Sequence, residues 1–449
     1  MHGNKIFKFF RVNHTNEQTE EEKPLLPELE NVKGPIRVRT APSPSGHLHI
    51  GHCFNIIYNY EYKRKYGGQF LLRFEDTNPE NIDIKNYEKI LDDVKWLTDN
   101  NIDEVYYQSD RMSLYYRYLN QLIETGYAYV CFCESETFKS YNDNCKPCPH
   151  RNADVQENRK HITAMFDGTV KAGTCVIKFK ADLENKNPAL HDISIARINE
   201  EPHARVQKQF RVWPMMNLCV AIDDYAMKLS HVIRGKDHET NMELQKMIQK
   251  ALGFPTPTYY HIGRTNFTDV ELSKTKLTAA IEKGEFTGWD DPRVPSLLSH
   301  RKRGYTAEGF RNMVIAKGIS KRDSVISQEE FYKSLNYHNK QVLERIADRF
   351  FFIHDPKKVH ITNITQFKEK NIVLPKHPED KSRGNRTFPV EQEYLIDRCD
   401  FNELIEGHVF RLMHFANFKV TAKTEDKLTV ELISIDFDNS TSVKFVLPI

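Results

Sequence analysis

The sequence predicts an α/β protein built on a parallel sheet, and three observations carry that prediction. Residues 36–40 form one short β-rich run, and residues 69–74 form another. Between them, Phe54, Ile57, Tyr58 and Tyr62 recur with helical spacing and give way to Gly67-Gly68, a stop signal. Strand, helix, strand in that order is a βαβ unit, whose strands are parallel and whose crossover is right-handed.

The remaining elements follow in order. A second helix presents Tyr87, Ile90, Leu91, Val94 and Leu97 on one face, and a third runs from Ser113 to Glu124 before Gly126. From about 128 to 210 the texture changes. Cysteine pairs, an amphipathic piece at His161–Phe166 and a β-like Thr174–Phe179 interrupt the α/β pattern. It resumes with Val212–Asp224, a strand at His231–Arg234, and a helix through Met242, Leu244, Met247, Ile248 and Leu252 that ends at Gly253. Residues 301–350 read as helical, with one start at Ser327, where Glu330 three residues on completes a capping box. Beyond Pro356 the text is β-like: Leu428, Val430 and Leu432 alternate with polar residues, and 443–447 is a further candidate strand. The division expected is a polar arm over 1–33, an α/β domain over 34–127 and 211–300, an insertion over 128–210, a helical region over 301–350 and a β region over 351–449.

Bulk properties narrow the class. A chain of 449 residues exceeds one ordinary domain. An apolar content of 39% with 27 Phe is enough for packed cores, while 28% charged residues indicate a soluble protein. No apolar run approaches a bilayer span, which argues against a membrane protein. A net charge of +2 does not announce nucleic-acid binding, although a basic face needs no net charge. Lys5, Lys8 and Arg11 are followed by Glu17 and Glu20 to Glu22, unlike an acid-poor transit peptide, so residues 1 to about 25 read as a polar arm of a cytoplasmic protein. Four of the eight cysteines (Cys131, Cys133, Cys145 and Cys148) crowd together, which in a reducing compartment points to thiol ligands rather than disulfides.

Two segments carry chemistry. Arg39-Thr-Ala-Pro-Ser-Pro-Ser-Gly-His-Leu-His-Ile-Gly-His52 reads as a strand, a turn and a helix start. Such a turn offers backbone N–H groups at the positive end of a helix dipole, where phosphate binds. Gly51 leaves room for a flat base or ribose, and His49 and His52, three apart on one helical face, can donate to phosphate as charge builds there. Lys274, in Leu272-Ser-Lys-Thr-Lys276, supplies a mobile positive charge. Together these are equipment for attack on the α-phosphate of ATP. Taken alone, the histidine pair is as well explained as a surface cluster, and the Ser-Lys loop as solvated backbone; their co-occurrence decides.

Both segments resemble the signatures of class I aminoacyl-tRNA synthetases, and the fuller pattern resembles the glutamyl-tRNA synthetases of archaeal and eukaryotic type. The likeness runs from about Leu26 to the C-terminus. It includes Leu26-Pro-Glu-Leu-Glu30, Leu71-Leu-Arg-Phe-Glu-Asp-Thr-Asn-Pro79, His231-Val-Ile-Arg-Gly-Lys-Asp-His238 and Gly288-Trp-Asp-Asp-Pro-Arg293. It implies a Rossmann-type catalytic domain, an insertion handling the tRNA acceptor end, a helical tRNA-contacting region and a C-terminal β-barrel region that reads the anticodon. It also implies ATP with Mg²⁺, L-glutamate and tRNA(Glu) as substrates, with tRNA(Gln) as a second candidate acceptor.

By the same resemblance, Glu75 holds the substrate ammonium, while Arg39 and Arg234 clamp the side-chain carboxylate through charge-assisted forks. Ser43 bonds the substrate or caps the helix, and Ser273 assists Lys274. Glu271 stands where the full loop signature has its first lysine, as it varies in eukaryotic-type relatives. Arg234 favours glutamate, because the glutaminyl-tRNA synthetases have no arginine at the matching position and a buried guanidinium facing an amide lacks its counter-charge. Cys131-x-Cys133 and Cys145-x-x-Cys148 have the arithmetic of a closed, structural zinc site, with His150 as a substitute ligand. Arg301, Lys302, Arg303, Arg311, Lys317, Lys321 and Arg322 form a basic group open to two readings, tRNA phosphate contact or a solvated face.

Relatives of this type continue for about another hundred residues, near one small domain. The β-barrel region is therefore expected to be partial, and with it anticodon reading. The rival readings are a glutaminyl-tRNA synthetase, a synthetase-derived tRNA-binding protein without full aminoacylation activity, and a small-molecule adenylyltransferase. The last lacks both the insertion and the Gly288–Arg293 segment.

Overall fold

The crossover expected between residues 36 and 74 is present. β1 (Ile36–Thr40) and β2 (Gly68–Phe74) pair in parallel with α1 (Ile50–Tyr66) between them. These elements are taken from a computed structural model, which describes residues 26–435, apart from 349, 351, 378, 413 and 414, together with 444–446. The polar arm over 1–25 lies outside the described residues, as do both ends of the candidate strand 443–447. The return from α1 into β2 needs glycine at 68: its φ is +124°, and a Cβ there would stand 1.9 Å from the Ile36 carbonyl oxygen.

α2 (Ile84–Leu97) leads to β3 (Glu104–Tyr107), which extends the sheet in parallel beside β2. After α3 (Met112–Glu124) the topology changes. β4 (Ala128–Cys131), α4 (Ser135–Asp143), α5 (Val155–Asp167), β5 (Val176–Phe179), β6 (Ile193–Ile198) and β7 (Val212–Pro214) make a four-stranded antiparallel sheet with two helices. β7 lies just beyond residue 210, because a strand of three residues is too short to show alternation.

α6 (Met216–Ala226), β8 (His231–Gly235), α7 (Glu239–Leu252) and β9 (Thr258–Ile262) restore the parallel pattern. β8 lies against β1: Ser230 N–H donates to the Arg37 carbonyl at 3.0 Å, and Arg37 N–H donates to Ser230 Oγ at 2.8 Å. The strands therefore run β3-β2-β1-β8-β9, and their order reverses between β1 and β8. In such sheets ligands bind at the carboxyl ends of the strands flanking the reversal.

β10 (Thr265–Phe267), α8 (Lys274–Glu282), α9 (Leu297–Lys302), α10 (Ala307–Lys317), β11 (Ser324–Ile326) and α11 (Gln328–Ile346) follow. β11, which pairs in parallel with β10, interrupts the helical run expected over 301–350. Phe310, Val314, Phe331 and Leu335 join Val38, Ile57, Leu72 and Val94 in one core, so these helices pack on the α/β layer itself. The capping box at Ser327 forms: its N–H donates to Glu330 Oε2, and Glu330 N–H donates to Ser327 Oγ. Among the described residues no helix is long and apolar enough to cross a membrane.

The chain divides into two units after Val342. The second contains β12 (Lys357–Ile361), β13 (Asn371–Pro375), β14 (Asn385–Pro389), β15 (Glu393–Ile396), α12 (Arg398–Glu403), β16 (Val409–Leu412), β17 (Asn417–Lys423), β18 (Lys427–Ser434) and β19 (Lys444–Val446). β13 and β14 form a separate hairpin; the others make one sheet in the order β15-β12-β18-β17-β16-β19. The alternation at Leu428 and Val430 buries both against Val359, Ile361, Phe410 and Phe418.

Candidate active site

A cavity of 980 Å³ opens at the carboxyl ends of β1, β2 and β8, where the strand order reverses. Arg39 reaches it from the end of β1, Glu75 from just past β2, and Arg234 from β8; His49, Gly51 and His52 line it from the start of α1. Arg39 and Glu75 connect it to a cluster of buried charge. Arg73, fully buried on β2, donates to Asp224 Oδ1 and to Glu75 Oε1, both at 2.9 Å, and its Nε lies 3.8 Å from Asp223. Arg111 Nε donates to Asp223 Oδ1 at 2.8 Å. Arg39, 4% exposed, stands 3.9 Å from Asp224.

Arg234 differs from these. Its Nη2 donates to the side-chain oxygen of Gln245 at 2.9 Å and approaches the His238 carbonyl at 3.4 Å, while its guanidinium lies 5.2 Å from the centre of the Tyr259 ring. Gln245 donates in turn to Asn217, Asn217 to Asn241, and Asn241 meets the ring of His238, so a chain of amides holds the arginine. Within this cluster Arg39, Arg73 and Arg111 lie against Glu75, Asp223 and Asp224, whereas Arg234 is held by an amide rather than a carboxylate. Burial draws Arg39 down to about 10 and draws Arg234 down as well. Burial opposes the charge on Arg73 too, but Asp224, Glu75 and Asp223 reverse the effect and raise it. Arg39 Nε and Arg234 Nε are buried without a hydrogen-bond partner.

The histidine turn departs from expectation in an informative way. His49 is the N-cap of α1: its Nδ1 accepts from Gly51 N–H at 3.0 Å, and His52 Nδ1 accepts from His49 N–H at 3.1 Å. Ile50 N–H goes to the Pro295 carbonyl and His52 N–H to the His49 carbonyl. The backbone N–H groups of residues 49–52, at the helix start, are therefore already bonded. Gly51 makes room chiefly for the His49 ring, whose Cε1 would lie 2.8 Å from a Cβ at 51. Because both Nδ1 atoms accept, each neutral ring carries its proton on Nε2. Burial lowers His49 to about 3 and His52 to about 4, so both are uncharged donors at neutral pH.

The loop before α8 joins the same turn. The stem of Lys274 crosses Gly46, where a Cβ would stand 2.5 Å from Lys274 Cδ, and Leu272 packs near Gly51. Glu271 accepts from Ser273 N–H and from Lys276 Nζ, at 2.7 and 2.8 Å. The acid in the signature's lysine position thus braces the loop and occupies Lys276, leaving Lys274 unpaired among the described residues. Trp289 stacks on His47, ring centres 4.7 Å apart, which fastens the Gly288–Arg293 segment to the turn. Ser273 precedes α8 without capping it through its side chain, and Ser43 is exposed, outside the cavity lining; the cap that was one of its two readings is made by His49.

The basic group is largely engaged within the fold. Arg311 is buried and bonds Asp99 and the Leu97 carbonyl; Arg301 faces Asp93, and Lys302 pairs with Asp290. Lys317 donates to Thr265 and Ser324 beside the cavity.

Sulfur ligands converge elsewhere. Ligand atoms of Cys131, Cys133, Cys148 and His150 all lie within 4.8 Å of one another. Cys131 Sγ is 3.8 Å from Cys148 Sγ, and Cys133 Sγ is 3.4 Å from His150 Nδ1. Thiolates at about 2.3 Å from a tetrahedral zinc sit about 3.8 Å apart, so the group fits the ion. Cys145 is not part of it: the residue is exposed, in a left-handed turn with φ +54°, and His150 takes the fourth position instead.

Arg73, Asp223, Asp224, Gln245 and Trp289 were not singled out from sequence. An arginine inside the apolar run Phe70–Phe74, and two aspartates ending the apolar run Leu218–Ile222, were the available signals.

Residues 35–359 match the family model described as tRNA synthetases class I (E and Q), catalytic domain, and residues 347–438 match the anti-codon binding domain of the same class. Similar curated proteins include the glutamate–tRNA ligase of Methanobrevibacter smithii, 38% identical over 96% of this chain and 75% of the relative. That of Methanopyrus kandleri is 38% identical over 86% and 67%, and that of Thermoplasma acidophilum 40% over 86% and 69%.

Proposed function

The chain belongs to the class I tRNA synthetases of the E and Q type, and from that premise we propose that it is a glutamate–tRNA ligase acting in protein synthesis. ATP, taken as its Mg²⁺ complex, and L-glutamate react to glutamyl-adenylate and pyrophosphate; the terminal adenosine hydroxyl of tRNA(Glu) then attacks the activated carbonyl and releases AMP. The observation that carries glutamate rather than glutamine is Arg234, a buried guanidinium in the cavity lining that is held by an amide and paired with no carboxylate among the described residues. The zwitterionic backbone of either amino acid adds no net charge there, whereas the side-chain carboxylate of glutamate supplies the missing negative charge.

In this reading Arg234 and Arg39 take the side-chain carboxylate, and Glu75, whose Oε1 already holds Arg73, offers its other oxygen to the ammonium. The α-carboxylate stays free to attack the α-phosphate in line. The Nε2–H groups of His49 and His52 donate to phosphate oxygens as charge builds, and Lys274 follows the departing pyrophosphate with Ser273 beside it. No covalent protein intermediate is needed; the rate comes from positioning and electrostatics.

The antiparallel insertion serves the tRNA acceptor end, and the second unit serves the anticodon. Cys131, Cys133, Cys148 and His150 hold one structural zinc, which ties β4 to the turn after α4. The expectation of tRNA(Gln) as a second acceptor gains no support. We assign the protein to the cytoplasm, where aminoacyl-tRNA is consumed. Aminoacylation of purified tRNA(Glu) and tRNA(Gln) with labelled glutamate and glutamine tests the proposal. Glutamate on tRNA(Glu) is the expected product; glutamine on tRNA(Gln) would reverse the reading.

A further inference from the structure

Lys178 is a buried cation with no directly paired acid among the described residues. β4 and β5 pair antiparallel with Tyr129 opposite Lys178 and Cys131 opposite Val176, so Lys178 shares one face of the sheet with Cys131. The residue is 6% exposed. Its Nζ lies 3.3 Å from the centre of the Phe138 ring and donates to Ser194 Oγ at 3.1 Å, two neutral partners. Among the described residues it forms no ion pair with a carboxylate; Asp192, the acid on that side, is held by Arg151 at 2.8 Å and by the Tyr129 hydroxyl. A buried ammonium served only by neutral groups is unfavourable unless some other charge balances it.

The cysteine–histidine group is that charge. Burial lowers Lys178, and Cys131, Cys148, Asp192 and Cys133 act electrostatically to favour its charged form. Three thiolates and one neutral imidazole around a divalent ion leave one net negative charge, equal and opposite to one ammonium. We propose that Lys178 is the buried counter-charge of the metal centre. It holds the centre in its three-thiolate form, and the centre in turn neutralises the lysine, so that metal loss leaves an uncompensated cation inside the insertion. The Phe138 ring, on the helix between Cys133 and Cys148, covers the ammonium with its electron-rich face. This inference rests on the reading of the group as a zinc site.

The full chain, purified without chelators, is analysed for zinc. Its affinity is measured by competition with a chromophoric chelator, and melts are recorded with and without metal. The expected result is about one zinc per wild-type chain. Lys178→Met should bind zinc about tenfold more weakly, or worse. It should also melt below wild type when both hold metal, yet no lower than wild type when both are stripped, because the unpaired ammonium is gone. A purely packing role would lower both melts. Wild-type zinc affinity in Lys178→Met overturns the counter-charge role while the zinc site stands; wild-type protein that takes up no zinc overturns both. If the methionine variant does not fold, Lys178→Gln carries the same comparison.

Discussion

Arg234 is held by an amide: its Nη2 donates to Gln245 Oε1 at 2.9 Å, and the arginine has no carboxylate partner among the described residues. An amide oxygen fixes the direction of a guanidinium without cancelling its charge, which therefore remains available to a ligand. Gln245→Glu keeps the shape and removes that availability. Activation of glutamate should fall about tenfold or more in kcat/KM, and the preference over glutamine should shrink, since a neutralised arginine no longer needs a carboxylate. Steady-state pyrophosphate exchange with each amino acid measures both. An unchanged preference would mean that the free charge of Arg234 is not what is read.

Arg234→Cys removes the fork itself. The loss of a charge-assisted pair worth about 1.5–3 kcal/mol corresponds to roughly a 10- to 150-fold drop in kcat/KM for glutamate. A variant that kept its glutamate kinetics would make Arg234 a structural residue of the amide chain.

Lys274→Ala should lower the rate of pyrophosphate exchange about tenfold or more while leaving the melting temperature unchanged, because the ammonium meets phosphate mainly in the transition state. Its stem crosses Gly46 but its head has no partner among the described residues, so the fold loses little. Exchange kinetics equal to wild type would remove Lys274 from the mechanism.

Much of this was legible in the sequence, for physical reasons that also explain the rest. β1, α1 and β2 were visible because apolar periodicity and Gly67-Gly68 mark a helix and its end in adjacent text. β7, β10 and β11, of three residues each, are too short to show any period. Arg73 and Asp224 stand 151 residues apart, and each reads locally as a flaw in an apolar run; only the fold shows that the two flaws answer one another. The histidine turn was found by its residue types, but its hydrogen bonds were misjudged. Short polar side chains are the common helix caps, so a cap was one of the two readings of Ser43, beside a bond to the substrate; the ring nitrogen of His49 makes the cap.

Cysteine spacing pointed to Cys145 as a fourth ligand, whereas the residues that the fold brings together are Cys131, Cys133, Cys148 and His150. Cys148→Ser should abolish stoichiometric zinc binding, and Cys145→Ser should leave it intact, because Cys145 is exposed outside the ligand group and His150 lies within it. Metal analysis of the two purified variants decides between them; zinc lost equally from both would restore Cys145 as a ligand.

The protein should lose stability in mild acid through its buried histidines. Burial lowers His47, His52, His261 and His300 to about 4 and His49 to about 3, whereas unfolded histidine titrates near 6.5. Below about pH 6.5 the unfolded chain therefore binds protons that the folded chain refuses. The stabilising contribution is complete above that pH and declines as pH falls toward 4. Denaturant midpoints recorded from pH 7.5 to 4.5 should drop steadily, and His300→Gln should flatten the slope; a midpoint constant to pH 5 would show that these rings accept protons in place.

The bonds of His49 and His52 also bear on how such a site is inherited. The His52 ring holds the backbone N–H of His49, and the His49 ring holds that of Gly51, the residue that lets this ring fold back. Losing either histidine removes one phosphate donor but leaves the backbone partner of the other ring in place. Selection can therefore weigh the two histidines separately, whereas Gly51 is tied to His49, because any side chain at 51 would stand in the space the ring occupies.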